Sequence, residues 1–286
     1  MDSDKHSNSY IDLHIHTNYS DGVFSPKEVV EYASKIKLFA IGITDHDSVD
    51  GIDEAIEAAL GTGVEIVPGI ELSAEVTLDS QKSEVHILGY FLDYKSKKLQ
   101  KALDILKKAR QNRAIEILET LKKNKIELKN IDFLYSVENK ALGRLHFARA
   151  LVKEKFVGSI QEAFRKYLSN GCPAYVPKYS ISVREAIELI LSIGGAPIMA
   201  HPYYAHYSDK NVFKTFVQDG LAGIEAWHIK HSECSVKKFL DLAKEFNLVV
   251  TGGSDCHGPF NEEYPVMGKI KVPYSVLEKL KDVKKR

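Results

Sequence analysis

Long apolar runs are missing from this 286-residue sequence: no window approaches the roughly 18 to 20 uninterrupted apolar residues of a membrane span, so a membrane role is not expected. The first nine residues, MDSDKHSNS, lack the apolar stretch of a secretory leader. Cysteine is scarce. Cys172, Cys234 and Cys256 form no CxxC pair and are odd in number, which removes a structural thiolate zinc site, argues against a disulfide framework and suits a reducing, cytoplasmic setting. Internal repeats and low-complexity segments are absent as well.

Net charge is also lacking, since 39 Lys/Arg balance 39 Asp/Glu, but the balance is uneven along the chain. Residues 1–94 hold 18 Asp/Glu against 5 Lys/Arg, and residues 95–129 hold 12 Lys/Arg against 4 Asp/Glu. An acidic front followed by a basic block suggests a division of labour. With 44% apolar residues the chain can bury one large domain, or one domain carrying a substantial insertion.

Seven segments rich in Val, Ile and Leu read as buried strands: Tyr10–His14, Phe39–Thr44, Val64–Ile70, Glu84–Tyr90, Ala196–Ala200, Ala222–Trp227 and Leu248–Thr251. Most are followed by a helical pattern. Ser25-Pro26-Lys27-Glu28 and Ser182-Val183-Arg184-Glu185 are capping boxes opening two of these helices. The alternation predicts an α/β fold with a parallel sheet, open or closed into a barrel. Residues 95–181 are patterned as helix instead and read as an insertion between residues 10–94 and 182–286. In it, Leu99, Leu103, Leu106, Ile115, Leu118 and Leu121 predict one long amphipathic helix, with Lys and Arg on its remaining faces. Further helices are predicted at Arg144–Lys155 and Ser159–Leu168, and Gly61-Thr62-Gly63 reads as a turn.

The histidines carry the chemistry. His14 and His16 stand two apart on a strand, so both rings face one side and can reach one ion. Asp21 follows. The second strand ends in Asp45, His46 and Asp47, the third in Glu71, the fifth in His201, and the seventh in Asp255 and His257, with the Cys256 thiol expected to point away. His86 lies inside an apolar strand and needs a partner for its ring. Carboxylates and imidazoles gathered at the C-terminal ends of parallel strands occupy the rim where such folds place active sites. Nitrogen and oxygen donors suit Mn²⁺, Zn²⁺ or Fe²⁺.

DLHIHT with its following Asp, TDHD, GIE, EVHI, AHP and SDCH resemble, in order and spacing, the motifs of the PHP (polymerase and histidinol phosphatase) metal-dependent phosphoesterases. The resemblance implies a distorted (β/α)₇ barrel with three divalent ions on its rim, Mn²⁺ favoured. It assigns His14, His16 and Asp255 to one ion, His86 and His201 to a second with Glu71 bridging, and Asp21, His46 and His257 to the third. GRLHFARALV, with Arg144, His146 and Arg149, resembles the insertion of the family's nucleoside 3′,5′-bisphosphate phosphatases, relatives of 5′→3′ exonucleases of short RNA, which makes the insertion the expected substrate-binding domain. GIEAWHIKHS puts His231 at a recurring His position, so that His231 or a metal-bound water is the candidate proton donor, with His228 a rival, while Asp45 is expected to orient a ligand imidazole.

The expected activity is metal-dependent release of the 3′-phosphate from nucleoside 3′,5′-bisphosphates, extended to short 5′-phosphorylated RNA, with no membrane and no obligate protein partner. The alternatives are a histidinol phosphate phosphatase, a 5′-mononucleotide phosphatase, an amidohydrolase, whose barrels also begin with HxH, and a noncatalytic nucleic-acid-binding module.

Overall fold

The strand order follows from which β-branched runs pair. β1 (Tyr10–Ile15) pairs in parallel with β2 (Ala40–Ile43), and β2 with β3 (Glu65–Leu78). β4 (Gln81–Tyr90) lies antiparallel between β3 and β6 (Ala196–Met199), and the parallel run resumes through β7 (Gly223–His228) and β8 (Val249–Gly253). These coordinates, a computed structural model, describe residues 9–78, 81–135, 141–202, 210–259 and 265–283. His6 and His206, which read from the sequence as solvated histidines, lie outside that range.

The sheet closes where the chain after β8 meets β1. Ile15 bridges Cys256 in parallel, and the His16 N–H donates to the Cys256 carbonyl at 2.9 Å. This approach needs a residue without a side chain, because a Cβ on Gly253 would fall 2.4 Å from the His14 Cβ. The expected distorted (β/α)₇ barrel with a helical insertion is therefore present, with two corrections. The fourth barrel strand is antiparallel, because β3 and β4 form a hairpin in register from Gly69↔Tyr90 to Leu78↔Gln81 and no helix crosses between them. Two short strands, β5 (Ile181–Ser182) beside β3 and β9 (Val272–Pro273) beside β1, were not expected.

Both capping boxes form. Ser25 caps α1 (Pro26–Lys35), with Glu28 reaching back to the Ser25 N–H, and Ser182 caps α7 (Val183–Ser192) with Glu185 in the same role. Gly61 and Gly63, both at φ +78°, form a turn. No helix among the described residues is long and apolar enough to cross a membrane.

The chain divides into two compact units, residues 1–100 with 180–286, and residues 101–179. In the second, α3 (Lys97–Lys123) and α5 (Arg144–Lys153) contribute to an apolar cluster that includes Ala114, Ile117, Leu121, Phe147, Leu151 and Leu168. Here the helix reading needs correcting. Leu99, Leu103, Leu106 and Leu121 are buried and Leu118 is partly so, but Ile115 is 55% exposed while Ile117 is buried. Nor are all the cations on outer faces. Arg110 and Arg113 lie in the buried stripe, donating to the carbonyls of Leu142 and Val176 at 2.9 Å. A helix of 27 residues keeps a stripe at 3.6-residue spacing, and 110, 113, 114, 117 and 121 follow it where 115 does not. Ile117→Ala is expected to cost about 2–5 kcal/mol in denaturant unfolding, and Ile115→Ala no more than about 0.5 kcal/mol.

Candidate metal centre

Glu71 organises the rim. It stands on β3 with no solvent exposure, and its two oxygens face five imidazoles. Oε2 lies 3.3 Å from His14 Nε2, 3.2 Å from His16 Nε2 and 3.0 Å from His46 Nδ1. Oε1 lies 2.8 Å from both His86 Nδ1 and His201 Nε2. The i, i+2 spacing on β1 puts His14 Nε2 and His16 Nε2 3.1 Å apart. Asp255 Oδ1 adds contacts of 3.0 Å to His16 and 3.5 Å to His14. A third group is Asp21, 3.2 Å from His257 Nε2 and 3.9 Å from both His16 Nδ1 and His46 Nε2.

Among the described residues, three sets bring donor atoms within 4.8 Å of one another: His14, His16, Glu71 and Asp255; His16, Asp21, His46 and His257; and His46, Glu71 and His86. Each combines neutral-capable imidazoles with carboxylates and no thiolate, a donor set for divalent Mn, Zn or Fe. A specific observation fits this group. Glu71 Oε2 and His46 Nδ1 are buried 3.0 Å apart, yet neither makes a hydrogen bond. Buried polar atoms without a hydrogen-bond partner are costly, and a cation held by both would satisfy them.

Electrostatics points the same way. Burial works to raise the pKa of Glu71, but His46, His86 and His14 outweigh it and hold the carboxyl well below its usual range. For Asp255, burial is likewise overcome, by His14 and His257 first, and for Asp21 by His257 and His46. Burial disfavours charge on His16 and His86, yet Asp255 and Glu71 raise His16 to about 10, and Glu71 and Glu84 raise His86 to about 9. Burial prevails at His46, whose pKa falls well below the ordinary value. The carboxylates thus favour protonation of His16 and His86, and a bound cation would compete for the same ring nitrogens.

Strain and buried anchors fix the loops. Asp47, His201 and Asp255 have φ of +48°, +22° and +54°, a region few non-glycine residues visit and one that clusters at functional sites. Asp45 accepts from the Thr17 N–H at 2.7 Å and from the hydroxyls of Thr17 and Ser20. Its hydrogen bonds hold the loop between His16 and Asp21, and Ser20 Oγ, 3.5 Å from His16 Nδ1, is the relay toward an imidazole. His86 has its partners, Glu71 on Nδ1 and Glu84 at 3.2 Å on Nε2. The Cys256 thiol is buried, and burial pushes its pKa up to about 11.

The other sequence candidates are placed as follows. His231 donates Nδ1–H to the Ala226 carbonyl at 2.8 Å, and burial lowers its pKa. His228 Nε2 lies 3.4 Å from Asp255 Oδ2. In the second unit, Arg144 lies over the rings of Phe164 and Tyr175 and donates to the Leu168 carbonyl at 3.4 Å, His146 Nδ1 accepts from the Gly143 N–H at the start of α5, and Arg149 is half-buried. Sequence reasoning missed two buried acids, Asp12 and Glu225, and gave a third, Asp47, no role. Asp12 accepts from the N–H groups of Ser254 and Gly268 at 2.9 and 3.1 Å, tying β1 to the segment after β8. Asp47 accepts from the Ser73 N–H at 2.8 Å, and Glu225 faces His14 from β7. A charged residue inside an apolar strand, the signal that singled out His86, also marks Asp12 and Glu225.

The PHP domain family profile matches residues 12–171. The chain is 34% identical to a 5′-3′ exoribonuclease of Haemophilus influenzae, over 87% of this chain and 90% of that one. It is 31% identical to a 3′,5′-nucleoside bisphosphate phosphatase of Chromobacterium violaceum, over 87% of each. A solved structure from Bifidobacterium adolescentis, named as a metal-dependent phosphoesterase, matches with a TM-score of 0.86 and 29% identity over 96% of both chains.

Proposed function

This chain belongs to the PHP domain family and is a phosphoester hydrolase, and we propose that it removes the 3′-phosphate from small nucleoside 3′,5′-bisphosphates, and shortens short 5′-phosphorylated RNA, in the cytoplasm. The observation that carries the hydrolytic reading is Glu71, one buried carboxylate facing five imidazoles between two further carboxylates. The named activities of the Haemophilus and Chromobacterium relatives support the nucleotide part.

In this reading His14, His16 and Asp255 would hold one divalent ion, His86, His201 and Glu71 a second, and Asp21, His46 and His257 a third, with Mn²⁺ the favoured metal. Bound divalent ions supply acidified water as nucleophile and offset the charge of the phosphate. The remaining work falls to the chain. Asp45 keeps the Thr17–Ser20 loop, and with it His16 and Asp21, in place. Because His231 commits Nδ1–H to Ala226, Nε2 is the atom that exchanges protons. We assign His231 to carry the proton for the leaving hydroxyl, a phosphate dianion beside it favouring the imidazolium. Arg144, His146 and Arg149 are assigned to the second phosphate and nucleotide body, which guanidinium groups bind through charge-assisted hydrogen bonds.

The test is phosphate release by metal-stripped protein with Mn²⁺ added back, on adenosine 3′,5′-bisphosphate, AMP, histidinol phosphate and a 5′-phosphorylated RNA trinucleotide. A kcat/KM at least about tenfold higher for the bisphosphate is expected, and Arg144→Ala should lower it roughly 10- to 100-fold, the worth of one hydrogen bond to a charged group. Preference for histidinol phosphate would retain the centre and remove the role given to the arginines. Ammonia release from amide substrates without phosphate release would indicate an amidohydrolase, and absence of turnover with salt-sensitive RNA binding a noncatalytic module.

A further inference from the structure

Glu225 sits on β7 with no solvent exposure, and an ionised carboxylate buried without partners would cost several kcal/mol. Its oxygens reach two of the ligand positions. Oε1 and Oε2 lie 3.0 and 3.2 Å from His14 Nδ1, and Oε2 also accepts the main-chain N–H of His201 at 2.9 Å. On the far side of the ring, His14 Nε2 faces Glu71 at 3.3 Å and Asp255 at 3.5 Å. His201, held in the left-handed region at φ +22°, presents its own Nε2 to Glu71 at 2.8 Å.

We propose that Glu225 is a positioning residue of the metal centre, setting the His14 ring with Nδ1–H toward itself and Nε2 free to ligate, and clamping the strained His201 main chain with the same carboxylate. The inference rests on the reading of the rim as a metal centre. It differs from a plain structural ion pair in what it controls. A carboxylate behind a ligating imidazole fixes its tautomer and raises its donor strength, and such groups are worth roughly 10- to 100-fold in metal affinity. Here one carboxylate serves two ligands, one on β1 and one in the loop after β6, so losing it disturbs both together.

Glu225→Gln tests this at nearly constant volume. The amide has one acceptor oxygen where the carboxylate has two. With that oxygen turned to His201, the amino group meets His14 Nδ1 and favours the tautomer carrying its proton on Nε2, the atom that must face the metal. Mn²⁺ titration of metal-stripped protein, with free Mn²⁺ read by electron paramagnetic resonance, should show at least one site weakened roughly 10- to 100-fold. In the Zn²⁺-loaded protein, ¹⁵N-histidine resonances should show the His14 tautomer displaced or its metal-bound population reduced. At limiting Mn²⁺ the variant's phosphate release should fall, and excess Mn²⁺ should restore most of it. Unchanged Mn²⁺ affinity with an unchanged His14 tautomer would overturn the inference while leaving the proposed hydrolysis intact. If Glu225→Gln does not fold, Glu225→Asp keeps the charge but withdraws it by one methylene, and wild-type affinity there would overturn the inference equally. Failure of wild-type protein to bind Mn²⁺ or Zn²⁺ would instead remove the metal reading itself, and the role of Glu225 with it.

Discussion

Glu71→Gln is expected to lower metal-dependent phosphate release by about 10³-fold or more, the largest effect of any single substitution in this chain. Removing one charge-stabilising donor from an active site commonly costs about 10²–10³-fold, and Glu71 serves more than one donor set. The loss should not be rescued by excess metal, in contrast to Glu225→Gln, because Glu71 Oε1 and Oε2 face the donor atoms themselves. The variant also leaves the protons of His16 and His86 in a buried pocket with less opposing charge. Their pKa values, raised to about 10 and about 9 in the wild-type fold, should fall. Metal content by mass spectrometry and kcat at saturating Mn²⁺ measure the two consequences separately, and near wild-type turnover would remove Glu71 from the centre.

The second large effect is metal removal. Stripping the ions should abolish phosphate release and lower thermal stability, since a ligand present at 1,000 times its dissociation constant stabilises the fold by about 4 kcal/mol, or roughly 10 °C in a domain of this size. The pH dependence has a definite sign. His16 and His86 have folded pKa values above the unfolded value of 6.5, so their contribution to the metal-free fold is complete below that pH and is lost as pH rises through about 9 to 10. Metal must displace the same protons. Its affinity should therefore rise with pH up to about 9 to 10 and level off above, with protons released on binding. Calorimetric titration in two buffers of different ionisation heat measures that release. Zero release at pH 7.5 would contradict the charge state derived for His16 and His86.

How much of this was legible in the sequence depended on what each residue type encodes. The strands were found from Val- and Ile-rich runs because burial on both faces leaves few other choices, and the boxes at Ser25 and Ser182 marked helix starts to the residue. The direction of β4 was not legible, because residue type does not record which way a strand runs. The one hint was negative, the lack of a helical pattern between Leu72 and Glu84. Ile115 and Ile117 are equally apolar, and only the packed helix shows which lies on the buried stripe. Most of the nine candidate metal ligands could be named because His, Asp and Glu are rare in apolar strands and at their ends, whereas Arg144, His146, Arg149 and His231 rested on resemblance alone. Asp12 and Glu225 have that same character but sit deeper, where an acid looks like an exception to the strand instead of part of the site. Their purpose became visible only once residues more than two hundred positions apart, such as Asp12 with Ser254 and His14 with Glu225, stood within hydrogen-bond distance.

The closure of β1 onto the segment after β8 sets an order of events during synthesis. His14 and His16 leave the ribosome early, while Asp255, His257 and the Cys256 bridge that seals the barrel come about 240 residues later. Until then a nascent chain displays His14, His16, His46, Glu71, His86 and His201 without the two last donors, and its first strand has an unpaired edge open to other chains. Closure is a contact of very high sequence separation, so it belongs among the last steps of folding. A ribosome-stalled chain ending before Gly252 should consequently be open to proteases along β1, and one extending past Pro273, once clear of the exit tunnel, should be protected there.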